Sequence, residues 1–141
     1  MSDNKPILVV VALIKNNDGR ILLQKRCDKK FPEADGKWAF TGGKVDFGES
    51  PERALIRECK EEIGCDISIV RMLPITLTKI WETGDGHTMH FVVLCYEARI
   101  TNGVPMPGDP KVSEIKWYGP EEIERIELMR GVAELFELMK G

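Results

Sequence analysis

Glu58, Glu61 and Glu62 stand together in a short charged run, Arg57-Glu58-Cys59-Lys60-Glu61-Glu62. On a helix turning about 100° per residue, the three acids share one arc. Leu55, Ile56, Cys59 and Ile63 fall on the neighbouring arc, and Arg57 flanks the acids on the side away from the apolar stripe. The apolar stripe can therefore face a core while three carboxylates project from one edge. Like charges at i,i+3 and i,i+4 repel, by a few tenths of a kcal/mol per pair. A cation between them reverses that sign. Hard oxygen ligands clustered this way suit Mg²⁺ or Mn²⁺, ions that also bind phosphate oxygens. The plain alternative is a solvated acidic face. Gly42-Gly43 precedes the run, where an exposed carbonyl could add a ligand, and Glu49 is placed to pair with Arg57.

Helical placement of these acids follows from local signals. Ser50-Pro51 is a helix start, with Ser as N-cap and Pro at the first helical position. Gly64 is the expected stop after Ile63. Ile7–Ile14 is a continuous Val-rich run, as expected for a strand buried on both faces. Asn16-Asn17-Asp18-Gly19 is a turn signal, and residues 20–26 read as the returning strand of a hairpin. Residues 31–37 read as a loop, and Trp38-Ala39-Phe40 as a short apolar segment before Thr41-Gly42-Gly43. Strand-like stretches follow at residues 66–73, 75–81, 88–100 and 114–118, with a Gly/Pro-dense loop at 103–110 and a short helix after Pro120. Leu128, Val132, Leu135, Phe136 and Met139 sit at helical spacing and define an amphipathic C-terminal helix. The expected fold class is α/β (α+β), a mixed β-sheet layered with a central helix and a C-terminal helix.

Composition narrows the function classes. The chain has 141 residues. That length fits one domain over residues 1–141. A formal net charge of −3 argues against a broad nucleic-acid face, which needs a basic excess. It permits a small anionic substrate, because a bound metal supplies positive charge locally. Cys27, Cys59, Cys65 and Cys95 form no C-x-x-C pair, which points away from zinc and toward reduced thiols in the cytoplasm. The run Ile7–Ile14 is too short to span a bilayer and lacks signal-peptide flanks. Neither export nor a membrane is expected.

Gly43, five residues, Glu49, seven residues, then Arg57-Glu58-Cys59-Lys60-Glu61-Glu62-Ile63-Gly64-Cys65 resembles the Nudix box of the Nudix hydrolases. Every polar and glycine position is met, and Cys59 and Cys65 stand at the two positions that are usually aliphatic. The resemblance implies an α/β/α sandwich with the box helix at its catalytic centre, and hydrolysis of a nucleoside diphosphate linked to another group. It implies metal ligation by Glu58, Glu62 and Glu61, with the Gly42 or Gly43 carbonyl as a further ligand. It gives Arg57 an orienting role through Glu49 and makes Glu58 a candidate general base, so the catalytic set is Glu58, Arg57 and Glu61. Mg²⁺ is the implied cofactor, with Mn²⁺ as an alternative. Thr41 stands where Pro often precedes the Gly-Gly. Lys111 stands near an expected further acid, for which Asp109 or Glu114 are substitutes.

Substrate marks are weaker. Trp81 stands where some subtypes carry Pro or Tyr, and the short chain looks most like MutT-type nucleoside triphosphate pyrophosphohydrolases. Trp81, Phe40 and Phe31 are candidates to stack on a base, against core packing as the plain reading. Arg26 and Lys25 are candidates to meet a phosphate, and His90 a base. Trp38 and Trp117 read as core. The leading expectation is a nucleoside triphosphate cut to the monophosphate and pyrophosphate. A hydrolase of nucleoside diphosphate sugars and a Nudix domain that only senses a nucleotide are the alternatives, and a homodimer is compatible with either.

Overall fold

The computed structural model describes residues 5–82 and 86–140. Strand β1 (Ile7–Ile14) is inserted between β4 (Thr41–Lys44), antiparallel, and β6 (Thr88–Asn102), parallel. β5 (Asp66–Glu82) pairs antiparallel on the outer side of β6 and completes a mixed four-stranded sheet in the order β4-β1-β6-β5. A second sheet places β2 (Ile21–Arg26) between β3 (Trp38–Ala39) and β7 (Val112–Tyr118), both antiparallel. The long helix α1 (Pro51–Ile63) is followed late in the chain by α2 (Pro120–Ile123) and α3 (Arg130–Lys140).

Period-2 alternation explains the layering. Val10, Ala12 and Ile14 of β1 enter one buried cluster with Leu55, Cys59 and Ile63 of α1. Leu13, with Val11 packed beside it, enters a second cluster with Val132 and Leu135 of α3. On β6, Tyr96 and Ala98 face the first cluster while Cys95 faces the second. The sheet is therefore covered by α1 on one face and α3 on the other, the sandwich expected from the box. No described helix is long and apolar enough to cross a membrane.

Two expectations change at this level. Asn16 does organise the turn, its Oδ1 accepting from the N–H groups of Asp18 and Arg20 at 3.0 and 2.9 Å, with Gly19 at φ 76°. The strand that follows nevertheless leaves β1 after a single bridge, Lys15 to Ile21, because both edges of β1 are occupied by β4 and β6. The stretches 66–73 and 75–81 are one strand whose register shifts between Met72 and Thr76, around Pro74, a residue with no N–H to give the ladder.

Gly42 on β4 is pressed closely against the neighbouring strand β1. A Cβ there would lie 2.0 Å from the Val10 carbonyl oxygen, a backbone atom held by the ladder. Gly42→Ala is expected to cost about 2 kcal/mol or more of stability. Gly131 in α3 meets only side-chain atoms at ordinary contact, 3.6 Å to Leu77 and 3.8 Å to Trp81. Gly131→Ala is expected to be neutral or to stabilise by up to about 1 kcal/mol. Thermal melting of the two variants should move Tm far downward in the first and not in the second.

Candidate active site

The ends of α1 are pinned by its own sequence. Ser50 Oγ accepts from the Arg53 N–H at 3.2 Å, and Gly64, at φ 70°, donates its N–H to the Lys60 carbonyl. Beyond the helix, Gly108 and Met106 donate their N–H groups to the carbonyls of Glu62 and Ile63, at 2.8 and 3.1 Å. The 103–110 loop thus satisfies carbonyls that a helix end leaves unpaired. With both ends held, the rotation of α1 and the aim of its acids are set.

Those acids are graded in burial rather than aligned on one exposed edge. Glu62 is 7% exposed as a residue. The Glu58 side chain is 15% exposed and that of Glu61 55%. The apolar stripe is correspondingly rotated: Ala54, Leu55, Cys59 and Ile63 are buried, while Ile56, expected to face the core, is 43% exposed.

Arg57 ties the acids into one network. Its Nε and Nη2 clasp Glu49 at 2.8 and 2.9 Å, a two-point contact, and Nη2 also donates to the Lys44 carbonyl at 3.1 Å. Nη1 reaches Glu58 Oε1 at 3.0 Å and Glu61 Oε2 at 3.3 Å. Asp46 adds a contact at 3.4 Å. The expected Glu49–Arg57 pairing is present. Hydrogen bonding to Arg57 holds the Glu49 carboxyl down at about 2, and the same pairing raises Arg57. Burial raises Glu58, opposed by Arg57.

Glu62 belongs to a different set. Its Oε1 accepts from the Gly42 N–H at 3.1 Å and from Gln24 Nε2 at 3.2 Å, and Thr41 Oγ1 donates to Gln24 Oε1 at 3.1 Å. Oε2 faces Arg26 Nη1 at 3.9 Å. Burial pushes Glu62 up to about 7 from its ordinary 4.5, against the pull of Gly42. A carboxyl raised on folding contributes stability that is full below about pH 4.5 and lost as pH rises through about 7. Chemical denaturation of metal-free protein across that window should show stability declining with pH, and Glu62→Gln should flatten the decline. A wild-type profile as flat as that of the variant would contradict this.

Gly43 lets α1 approach. A Cβ at Gly43 would lie 2.5 Å from Glu58 Cδ, so any side chain there displaces the carboxylate. Glu58 raises the cost of charge on Glu62, as Glu61 and Asp46 do on Glu58. As they stand, with Arg57 on Glu58 and Glu61, no three acidic, His or Cys side chains among the described residues converge into a metal cage. The donor set itself fits a divalent cation of the hard class, because every side-chain ligand it offers is a carboxylate oxygen.

An apolar cavity of about 260 Å³ opens beside these acids, and Arg26, Gly42 and Gly43 belong to its wall. Trp81, Phe40 and Phe31 line it as well, with Phe91 and Leu135. The Trp81 ring lies 5.3 Å from Phe31, tilted by 38°, and 5.4 Å from Phe91, edge-on at 64°. The residues expected at the substrate, Arg26, Trp81 and Phe40, thus share one cavity next to Glu62.

Other candidates lie elsewhere. Lys25 pairs with Glu114 at 3.5 Å, on the face of β2 opposite Gln24 and Arg26, so neither joins the acids. Asp109 Oδ1 accepts from the Lys111 N–H at 2.8 Å within its own turn. His90 alternates with Phe91 and Val93, which line the cavity, and so faces away from it. Trp38 is core, edge-on to Tyr118 at 5.0 Å. Gln24 escaped the sequence reading. Its signal is a lone amide in the strand Ile-Leu-Leu-Gln-Lys-Arg, sharing a face with Leu22 and Arg26.

The NUDIX domain profile matches residues 5–139, and the chain belongs to the NUDIX family. It is a Nudix pyrophosphohydrolase, an enzyme of phosphoric anhydride bonds. Nucleoside triphosphatase NudI of Escherichia coli O81 is 31% identical over 130 residues, covering 84% of this chain and 86% of its own. A MutT NUDIX hydrolase from Burkholderia pseudomallei superposes with a TM-score of 0.73 at 31% identity, covering 94% of this chain and 97% of its own. The MutT protein of Methanosarcina mazei Go1 superposes equally well, at 0.73 and 26% identity, covering 96% and 93%.

Proposed function

We propose that this enzyme hydrolyses a nucleoside triphosphate to the monophosphate and pyrophosphate, with Mg²⁺, or Mn²⁺ in its place, held by Glu58, Glu61, Glu62 and the Gly43 carbonyl. The carrying observation is the contact between two unlike regions: a nucleobase-sized apolar cavity whose wall passes, through Gly42, Gly43 and Arg26, onto the acidic helix. A nucleotide has the same two-part character, an aromatic base joined to a polyanion. The name of the NudI relatives, nucleoside triphosphatase, supports the same substrate class.

When bound, the cation supplies neutralising charge for the diphosphate and a water of lowered pKa. The chain does the rest. Trp81, Phe31 and Phe40 offer aromatic faces to the base. Arg26 stands between cavity and acids, where a phosphate oxygen can take over its long contact to Glu62. Arg57 holds Glu58 against Gly43, and Glu58, its basicity raised by burial, takes the proton from the attacking water.

The test is a panel of nucleoside triphosphates, nucleoside diphosphate sugars and dinucleoside polyphosphates with Mg²⁺, products separated by chromatography before any pyrophosphatase is added. Monophosphate and pyrophosphate from a triphosphate are expected. Orthophosphate as first product, or turnover confined to the diphosphate sugars, contradicts the proposal. Binding without turnover across the panel would make the chain a nucleotide sensor.

A further inference from the structure

Among the described residues three polar side chains are buried in the core, and one of them, Gln24, bonds to both of the others. Gln24 is 1% exposed, Thr41 0% and Glu62 7%. Burying such groups is costly unless their hydrogen bonds are made, and apolar residues at 24 and 41 would serve packing alone as well or better. We infer that Gln24 and Thr41 are a positioning pair for Glu62, fixing one carboxylate oxygen to the protein so that the other is presented to a divalent cation; this rests on the metal reading above.

The direction of the bonds is dictated by chemistry. An ionised carboxylate only accepts, so the Gln24 amide must turn its NH₂ toward Glu62 Oε1, 3.2 Å away. The amide carbonyl then points at Thr41, whose hydroxyl must donate, at 3.1 Å. Thr41 therefore selects the amide orientation that suits the carboxylate, and a Pro at that position has no hydroxyl with which to do so. The Gly42 N–H donates to the same Oε1 at 3.1 Å, so this oxygen carries two donors. Oε2 is left facing Arg26 at 3.9 Å, beyond hydrogen-bond reach. The device also joins the two sheets to the helix: Gln24 comes from β2, Thr41 and Gly42 from β4, and Glu62 from α1.

The readout is Mn²⁺ itself. Mn²⁺ affinity of nucleotide-free protein is measured by the electron paramagnetic resonance of the unbound ion, with thermal melting alongside. Removing partners that orient a metal ligand weakens metal affinity by about 10- to 100-fold. Gln24→Met is expected to fall in that range and Thr41→Val near its lower end. Thr41→Ser, which keeps the hydroxyl, should restore wild-type affinity. The double variant Gln24→Met/Thr41→Val should bind no more weakly than Gln24→Met alone, because Thr41 acts only through the amide. Wild-type Mn²⁺ affinity in both single variants, even with lowered Tm, overturns the inference, as does independent addition of the two losses. Thr41→Val and Thr41→Ser remain decisive should Gln24→Met fail to fold. A wild-type protein that binds no Mn²⁺ would instead remove the metal reading on which the inference rests.

Discussion

Excess EDTA is expected to abolish turnover of nucleoside triphosphates while leaving the protein folded. The reason is electrostatic. Arg57 is shared among Glu49, Glu58, Glu61 and Asp46. Arg26 is shared between Glu62 and Asp28. The two guanidinium groups in contact with these acids are therefore outnumbered by carboxylates, and a polyanionic substrate brought beside them meets net repulsion. A divalent cation reverses that balance. The fold does not depend on it, because the apolar clusters above and below the sheet and the caps of α1 involve none of the helix acids' free oxygens. Initial rates with Mg²⁺, with EDTA in excess, and after Mg²⁺ is restored, together with melting curves, check both halves. Ca²⁺ in place of Mg²⁺ should support little turnover, since its looser coordination positions water poorly. Full rates in excess chelator would leave the acids without the role proposed for them.

The legible parts of this molecule were those decided locally. Ser50, Pro51 and Gly64 set the ends of α1 within their own turns, so both boundaries follow from neighbouring residues. The Val-rich run of β1 shows no polar side, and it lies between α1 and α3. The Glu49–Arg57 clasp is a matter of loop reach and charge, and it is present. What could not be read depends on partners distant in the chain. The Asn16–Gly19 turn predicts a hairpin, yet whether β2 stays beside β1 is decided by β4 and β6, which claim both its edges. Likewise, helical angles place Glu62 with Glu58 and Glu61, but only the packing of β4 and β2 against α1 buries Glu62 and leaves Ile56 at the rim. Gln24 gains its meaning from Thr41 and Glu62, 17 and 38 residues away, with nothing beside it in sequence to announce them.

Replacing Glu58 or Glu62 with Gln separates a site from a solvated face most sharply. The amide keeps size and shape and removes one charge. At Glu58 the loss includes the proposed base, so kcat should fall by about 10²- to 10⁴-fold. At Glu62 the amide carbonyl can still accept from Gly42 and Gln24, so the local structure survives. What is lost is the charged oxygen facing Arg26, and kcat should fall at least about 100-fold. Stability of metal-free protein should respond more strongly at Glu62 than at Glu58. Glu62→Gln removes a carboxylate whose burial opposes its charge, so Tm near neutral pH should rise. Glu58→Gln likewise removes a charge that burial opposes but gives up a charged partner of Arg57 at 3.0 Å, so its Tm should rise less. Glu52→Gln is the control on the same helix. Glu52 Oε2 accepts from Tyr96 Oη at 2.6 Å, a bond the amide carbonyl can replace, and the residue contacts none of the three acids. Its kcat should stay near wild type. The variants are to be compared by kcat, KM and melting, with and without Mg²⁺. Glu58→Gln and Glu62→Gln turning over at wild-type rates would mean that the acids of α1 are surface and core charge only, and that the catalytic centre lies elsewhere.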